Sequence, residues 1–201
     1  MKAVLISIQP KWCEKIANGE KTIEVRKSRP KLATPFKVYI YCTKEKRKDD
    51  FITISGAFGL IRCPECAIYN RAKEYDCNGK VIGEFVCDRI TDISVVVRNC
   101  NEDYNHVYHN DECKGSCLTW KELQEYGNGK PLYGWHISNL KIYDKPKELS
   151  EFGNLCRKDC LRLGKGKSCE FLSTDGTPCN RIIPITRPPQ SWCYVEELQN
   201  G

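Results

Sequence analysis

Between Gly19 and Arg29 the chain reads GEKTIEVRKSR, which gathers Lys21, Thr22, Glu24, Arg26, Lys27 and Arg29 into one short segment. Its cations can neutralise phosphate groups, and the planar guanidinium of Arg26 has the fork for a bidentate contact. Lys21 and Glu24 offer a second chemistry. A lysine desolvated near Arg26 holds its proton less firmly and can act as a base, and Glu24 can relay a proton to a leaving amine. The two-residue period of a strand sets Lys21 and Glu24 on opposite sides unless the strand begins after Lys21, so a pair of surface charges is the economical reading. Trp12, Tyr133 and Trp135 are candidate platforms for an unstacked base. Core packing competes for each and is favoured for Trp12. His136, between Trp135 and Ile137, reads as a structural histidine first and a catalytic one second.

Cysteine is the other chemically capable residue here, at 14 of 201 positions. That falls short of the roughly 8–10% of disulfide scaffolds, and a chain of this length needs no staples to fold, so metal ligation is the functional reading. Cys156, Cys160, Cys169 and Cys179 could close a tetrahedral thiolate site, with zinc the default and an iron–sulfur cluster the alternative. A second, weaker set is Cys63 and Cys66, joined by Cys77 and Cys113. Free thiols buried as small hydrophobes are the competing account.

These residues need elements to position them. Ala3–Ile8 is a mostly apolar run that fits a strand buried on both sides. Pro10 opens a two-turn amphipathic helix ending at Gly19, a residue suited to the left-handed position there. In the next strand, Ile23 and Val25 should face the core and Thr22, Glu24 and Arg26 a cleft or solvent. Lys37–Cys42 forms a third strand, and 51–61 allows a hairpin. Lys80–Phe85 and Ile90–Val97 read as two further strands and Arg98–Lys114 as a long loop. Thr119 followed by Glu122 is a capping box, with Leu118 and Leu123 as its staple, which predicts a helix from Trp120 to Tyr126 ending at Gly127. Tyr133–Tyr143 is the strand expected to close the sheet.

Two short helices among many strands predict an α+β fold, a small mixed β-barrel with helices outside it, over residues 1–148. Residues 149–201 form a Cys-rich extension. No apolar run approaches a membrane span, and MKAVLISIQPKWCEK reads as a first strand rather than a signal peptide, so the expected location is cytoplasmic. The net charge of +6 is uneven: residues 1–50 hold 13 Lys and Arg against 6 Asp and Glu, and the remainder 19 against 20. A positive field around the opening segment suits phosphate-bearing partners, with a solvated basic face as the plain alternative. Oligomeric state is not encoded in any of these patterns.

The order of strand, Pro-started helix, GEKTIEVRKSRP, GKVIGEF and YGWHISNLKIYDKP resembles the ASCH family of PUA-like barrels, most closely its bacterial and phage-associated single-domain members. The resemblance covers about residues 1–148, and RPPQSWCYVEE near the C-terminus also looks like phage-associated members. It implies a cleft beside the first helix that binds RNA or a modified nucleotide; from their own chemistry and position, Lys21, Thr22, Glu24, Arg26, Lys27, Arg29, Trp135 and His136 are the residues expected to make contact there. One ASCH branch consists of amidohydrolases acting on N4-acetylcytidine. Lys21 matches their lysine, but Glu24 occupies the position of their threonine, which ranks binding ahead of catalysis by Lys21 and Glu24. The alternative in a different class is an adaptor that contacts a protein partner through the Cys-rich extension.

Overall fold

The computed structural model describes residues 2–44, 52–55, 59–62, 75–93, 111–155 and 182–197. Its elements in chain order are β1 (Ala3–Ile8), α1 (Pro10–Ala17), β2 (Ile23–Arg26), β3 (Phe36–Cys42), β4 (Ile52–Ser55), β5 (Gly59–Arg62), β6 (Tyr75–Asp76), β7 (Val81–Asp92), α2 (Asp111–Ser116), α3 (Trp120–Gly127), β8 (Tyr133–Lys147), β9 (Phe152–Leu155), β10 (Ile182–Pro184) and β11 (Trp192–Glu197). A 3₁₀ turn, Leu149–Glu151, leads into β9. The result is an α+β fold: a mixed eight-stranded sheet ordered β10-β9-β11-β1-β3-β7-β8-β2, with a small sheet β5-β4-β6 beside it.

β1 is the axis of the large sheet. All six of its residues are buried, as a mostly apolar run covered on both faces requires, Ser7 being the polar member. Val4, Ile6 and Ile8 enter one core layer with Val38, Ile40 and Phe85, where Cys13 and Ile16 of α1 also pack. Ala3 and Leu5 enter a second layer on the opposite face, with Tyr39, Phe152 and Val195. β1 pairs parallel with β3 and antiparallel with β11, so both of its edges are filled.

Those filled edges explain why the expected barrel does not close among the described residues. Among the described residues β2 stands at the end of the sheet and pairs with β8 alone. It returns to the end of β1, where the Arg26 Nη2 donates to the Ser7 carbonyl at 2.6 Å. A side chain bridges there because β1 has no free edge to extend the ladder. Nor is β8 the closing strand: it lies inside the sheet between β7 and β2.

Other expectations divide. α1 starts at Pro10, and Gly19 takes the left-handed φ of +76° just past its end. The hairpin in 51–61 is β4 paired with β5. The two strands read at 80–97 are one, β7, whose register shifts between Cys87 and Ile90 broke the alternation; residues 94–97 lie outside the described part. α3 has the full capping box, with Thr119 N donating to Glu122 Oε2 at 2.8 Å and Glu122 N to Thr119 Oγ1 at 3.3 Å. It ends one residue later than read, because Asn128 rather than Gly127 takes the left-handed cap. α2 occupies part of the stretch read as a loop. Residues beyond 148 supply β9, β10 and β11 to the main sheet.

Candidate functional site

β2 starts at Ile23, two residues after Lys21, so strand alternation does not govern where the lysine points. The backbone at Lys21 is instead pinned by its own N–H, which donates to the Lys15 carbonyl at the end of α1. Thr22 N donates to the Gly115 carbonyl, and Lys21 Nζ donates to the Ser116 carbonyl at 2.5 Å. Both acceptors are C-terminal carbonyls of α2, which lack partners within their helix and carry its negative end. α2 can sit this close because Gly115 has no side chain: a Cβ there would lie 2.6 Å from Thr22 Oγ1 and 2.9 Å from Ile23 Cγ1.

Lys21 Nζ lies 3.4 Å from Glu24 Oε2, and Arg26 Nη2 lies 3.0 Å from Glu24 Oε1. Lys21 is 2% exposed and Glu24 5%, so they are a buried pair and not the surface charges expected. Burial lowers the proton affinity of Lys21, and the neighbouring Glu24 carboxylate opposes that shift. One carboxylate thus serves two cations, and the Arg26 guanidinium carries the network on to the Ser7 carbonyl.

This array lies in the wall of a cavity of about 540 Å³, within the range of small-molecule sites. α1 supplies Lys11 and Trp12, the end of β1 supplies Ser7 and Ile8, and α3 supplies Glu122, Glu125 and Tyr126. The last side is Pro188, Pro189 and Gln190. Lys21 Nζ sits 5.1 Å and Lys11 Nζ 4.5 Å from the centroid of the Trp12 ring. Glu122 is held ionised by the hydrogen bonds from Thr119, which lower its pKa. The wall therefore carries Lys11, Lys21 and Arg26 against Glu24, Glu122 and Glu125, an even balance rather than a basic lining. The excess positive charge lies in the exposed turn after β2, where Lys27 Nζ is 4.8 Å from the Tyr126 ring and Arg29 stands over Tyr133 at 5.6 Å.

The remaining sequence candidates separate. Trp135 is fully buried, edge-on to Phe36 and 5.8 Å from Trp192, so it is a core residue. Trp12, favoured for the core, is only half-buried and lines the cavity while also touching the core. His136 accepts from Arg89 Nη2 at Nδ1 (3.2 Å), which leaves Nε2–H to donate to Thr91 Oγ1 at 3.2 Å. It lines a separate open hollow of about 460 Å³ with Thr22. Thr22 is exposed there and does not join Glu24 and Arg26, because it precedes the strand.

Among the described residues, no group of three or more His, Cys, Asp or Glu side chains could hold a metal ion. Cys156, Cys160, Cys169 and Cys179 lie outside the described residues, as do Cys63 and Cys66. Cys77 is a fully buried core residue in the same cluster as Cys13 and Cys42, whose thiols donate to the carbonyls of Ile8 and Thr43. Burial pushes Cys13 well above the ordinary thiol range. No helix among the described residues is long and apolar enough to cross a membrane.

Sequence reasoning missed α2, whose polar DECKGS has no apolar period, and the Pro188–Gln190 side of the cavity. Only the RPPQSW run marked the second.

The comparison with curated proteins found no match. Among solved structures, the chain is similar to an ASCH protein from Zymomonas mobilis at 15% identity, over 96% of this chain and 87% of that one, with a TM-score of 0.48. A serine-to-alanine variant of that protein aligns at 15% identity over 96% and 88%, TM-score 0.48. A tyrosine-to-phenylalanine variant aligns at 14% over 98% and 91%, TM-score 0.45. The model of the ASCH domain matches residues 6–147, a span that runs from the Ser7 end of β1 through the Lys21–Glu24–Arg26 array to the end of β8, and the chain belongs to the ASCH domain family.

Proposed function

We propose that the cavity binds the base of a nucleotide, either free and modified or unstacked from single-stranded RNA. Trp12 offers a ring face for stacking, and Lys21, Glu24 and Arg26 offer donors and an acceptor for a base edge. Lys11 at the wall and Lys27 and Arg29 in the turn after β2 take the phosphates. The observation that carries this reading is the buried Lys21–Glu24–Arg26 array in the wall of a charge-balanced cavity beside a cationic turn. A balanced interior suits an uncharged polar ring better than a phosphate, and the turn supplies what the interior lacks. The test is titration of single-stranded RNA oligonucleotides at several salt concentrations. Affinity should fall with salt and fall further in Lys21→Ala and Arg26→Ala. Lys27→Ala with Arg29→Ala should flatten the salt dependence. No binding at low salt would sink the reading.

A second reading, amide hydrolysis on an N4-acylated cytidine, is favoured by the buried amine of Lys21 with its lowered proton affinity 3.4 Å from Glu24. Here Lys21 would act as base and Glu24 as proton relay. Turnover of N4-acetylcytidine that vanishes in Lys21→Ala establishes it; no turnover across acylated nucleosides removes it. For residues 149–201 we retain the tetrathiolate proposal at Cys156, Cys160, Cys169 and Cys179. It requires stoichiometric zinc or iron in the purified protein, lost in Cys156→Ser.

A further inference from the structure

The side of the cavity formed by Pro188, Pro189 and Gln190 begins 41 residues beyond the end of the span that matches the family, residue 147. It is nonetheless tied into the site. Ser7 Oγ donates to the Pro189 carbonyl at 2.6 Å, and Ser7 N donates to the Ser191 carbonyl at 2.9 Å. The Ser7 carbonyl is the group that receives Arg26 Nη2. One buried serine therefore joins the C-terminal wall to the ionic array. Just past that wall, Trp192 Nε1 donates to Ser28 Oγ at 3.0 Å, a second tie to the turn after β2.

We infer that Pro188–Gln190 is the specificity wall of this cavity, with Ser7 as the positioning residue that holds it. The inference rests on the base-binding reading and assigns the discrimination between bases to this segment. Its chemistry suits that role. Two successive prolines fix their φ angles and present no N–H, so they make a stiff apolar surface for a planar ring. The Gln190 amide carries a donor and an acceptor side by side, the pattern that reads a base edge. The cationic turn touches phosphates, which all nucleotides share. The Lys21–Glu24–Arg26 side chains are already engaged with one another and with the Ser116 and Ser7 carbonyls, so the Gln190 amide adds the base-edge contact that can differ most between bases. Gln190 is exposed and its replacement leaves the core intact.

The experiment compares the full chain with Gln190→Ala and Ser7→Ala, measuring affinity for oligo(A), oligo(C) and oligo(U) RNA at one low salt concentration. Ser7→Ala removes the hydroxyl bond to Pro189 and leaves both backbone bonds of Ser7. Gln190→Ala should change the ratio of affinities among the three oligonucleotides by roughly three- to tenfold, the scale of one hydrogen bond. Ser7→Ala should change it in the same direction, with the thermal midpoint of Gln190→Ala unmoved. Unchanged ratios in both variants, with binding by the unaltered protein, overturn the inference and leave base binding standing. No binding by the unaltered protein to any of the three overturns both.

Discussion

On one face of β2, Ile23 and Val25 are each 3% exposed; on the other, Glu24 is 5% exposed. The burial is equal and its causes differ. Val25 packs with Leu123 of α3, Ile93 and Leu132, with Leu118 against the cluster, so this face is held by apolar area removed from water. Glu24 lies opposite Trp135 in the ladder and is held by Lys21 and Arg26. The apolar face tolerates a change in proportion to the volume removed. The charged face is all-or-none, since a buried ion that loses its partner keeps its desolvation penalty. The strand thus combines a graded structural side with a brittle chemical side.

The strongest challenge to that contrast is Glu24→Ala, which removes at once the carboxylate shared by the buried Lys21 and the partly buried Arg26. Denaturant unfolding should show a loss of about 3–5 kcal/mol. Lys21→Met should lose clearly less, because Glu24 keeps Arg26; equal losses would mean that Glu24 is not shared. On the apolar side, Leu123→Ala should cost about 2–4 kcal/mol by leaving a cavity, with RNA affinity of the folded protein retained.

A third comparison uses alkaline pH. Two thiols have folded values raised by desolvation, with the buried Cys87 pushed up to about 12 and the partly buried Cys193 to about 11. Above the ordinary thiol value near 9 the unfolded chain releases those protons first, so stability falls as pH rises through that window. Lys21 has the opposite sign. Its lowered folded value means that the unfolded chain binds the extra proton between that value and 10.5, so its contribution to stability rises with pH there. Lys21→Met removes that offset, and its stability should fall more steeply than that of the unaltered protein between about pH 9 and 10.5 in urea titrations. The smallest effect should be Thr119→Ala, about 1 kcal/mol, from loss of the cap that starts the α3 wall of the cavity.

Local signals were readable where one residue decides one feature. Pro10 and Gly19 bound α1, and Thr119 with Glu122 starts α3. What could not be read depended on partners distant in sequence. Lys21 looked like a surface charge because its acceptors, Glu24 aside, come from Ser116. α2 had no apolar stripe because its contribution lies in its C-terminal carbonyls and in the space above Gly115. Position decided between stacking and core for Trp135, which the sequence left open, and brought Trp12, favoured for the core, to the cavity as well. Trp135 pairs inside the sheet with a strand on each side, whereas Trp12 sits on a two-turn helix at the mouth of the cavity. Among the described residues the barrel does not close because β1 recruits β11, a pairing that no local pattern announces.

That pairing also sets an order of events during synthesis. β1 meets β3 within the first 42 residues, but its other edge waits for Trp192–Glu197. At bacterial or eukaryotic ribosomal speeds of roughly 5–20 residues per second, the interval between Ile8 and Trp192 is about 10 to 40 s. Through that time the most apolar strand of the nascent chain carries an unpaired edge, the kind of surface that recruits other strands. Folding yield should therefore depend on how long the chain is shielded before its last strand emerges.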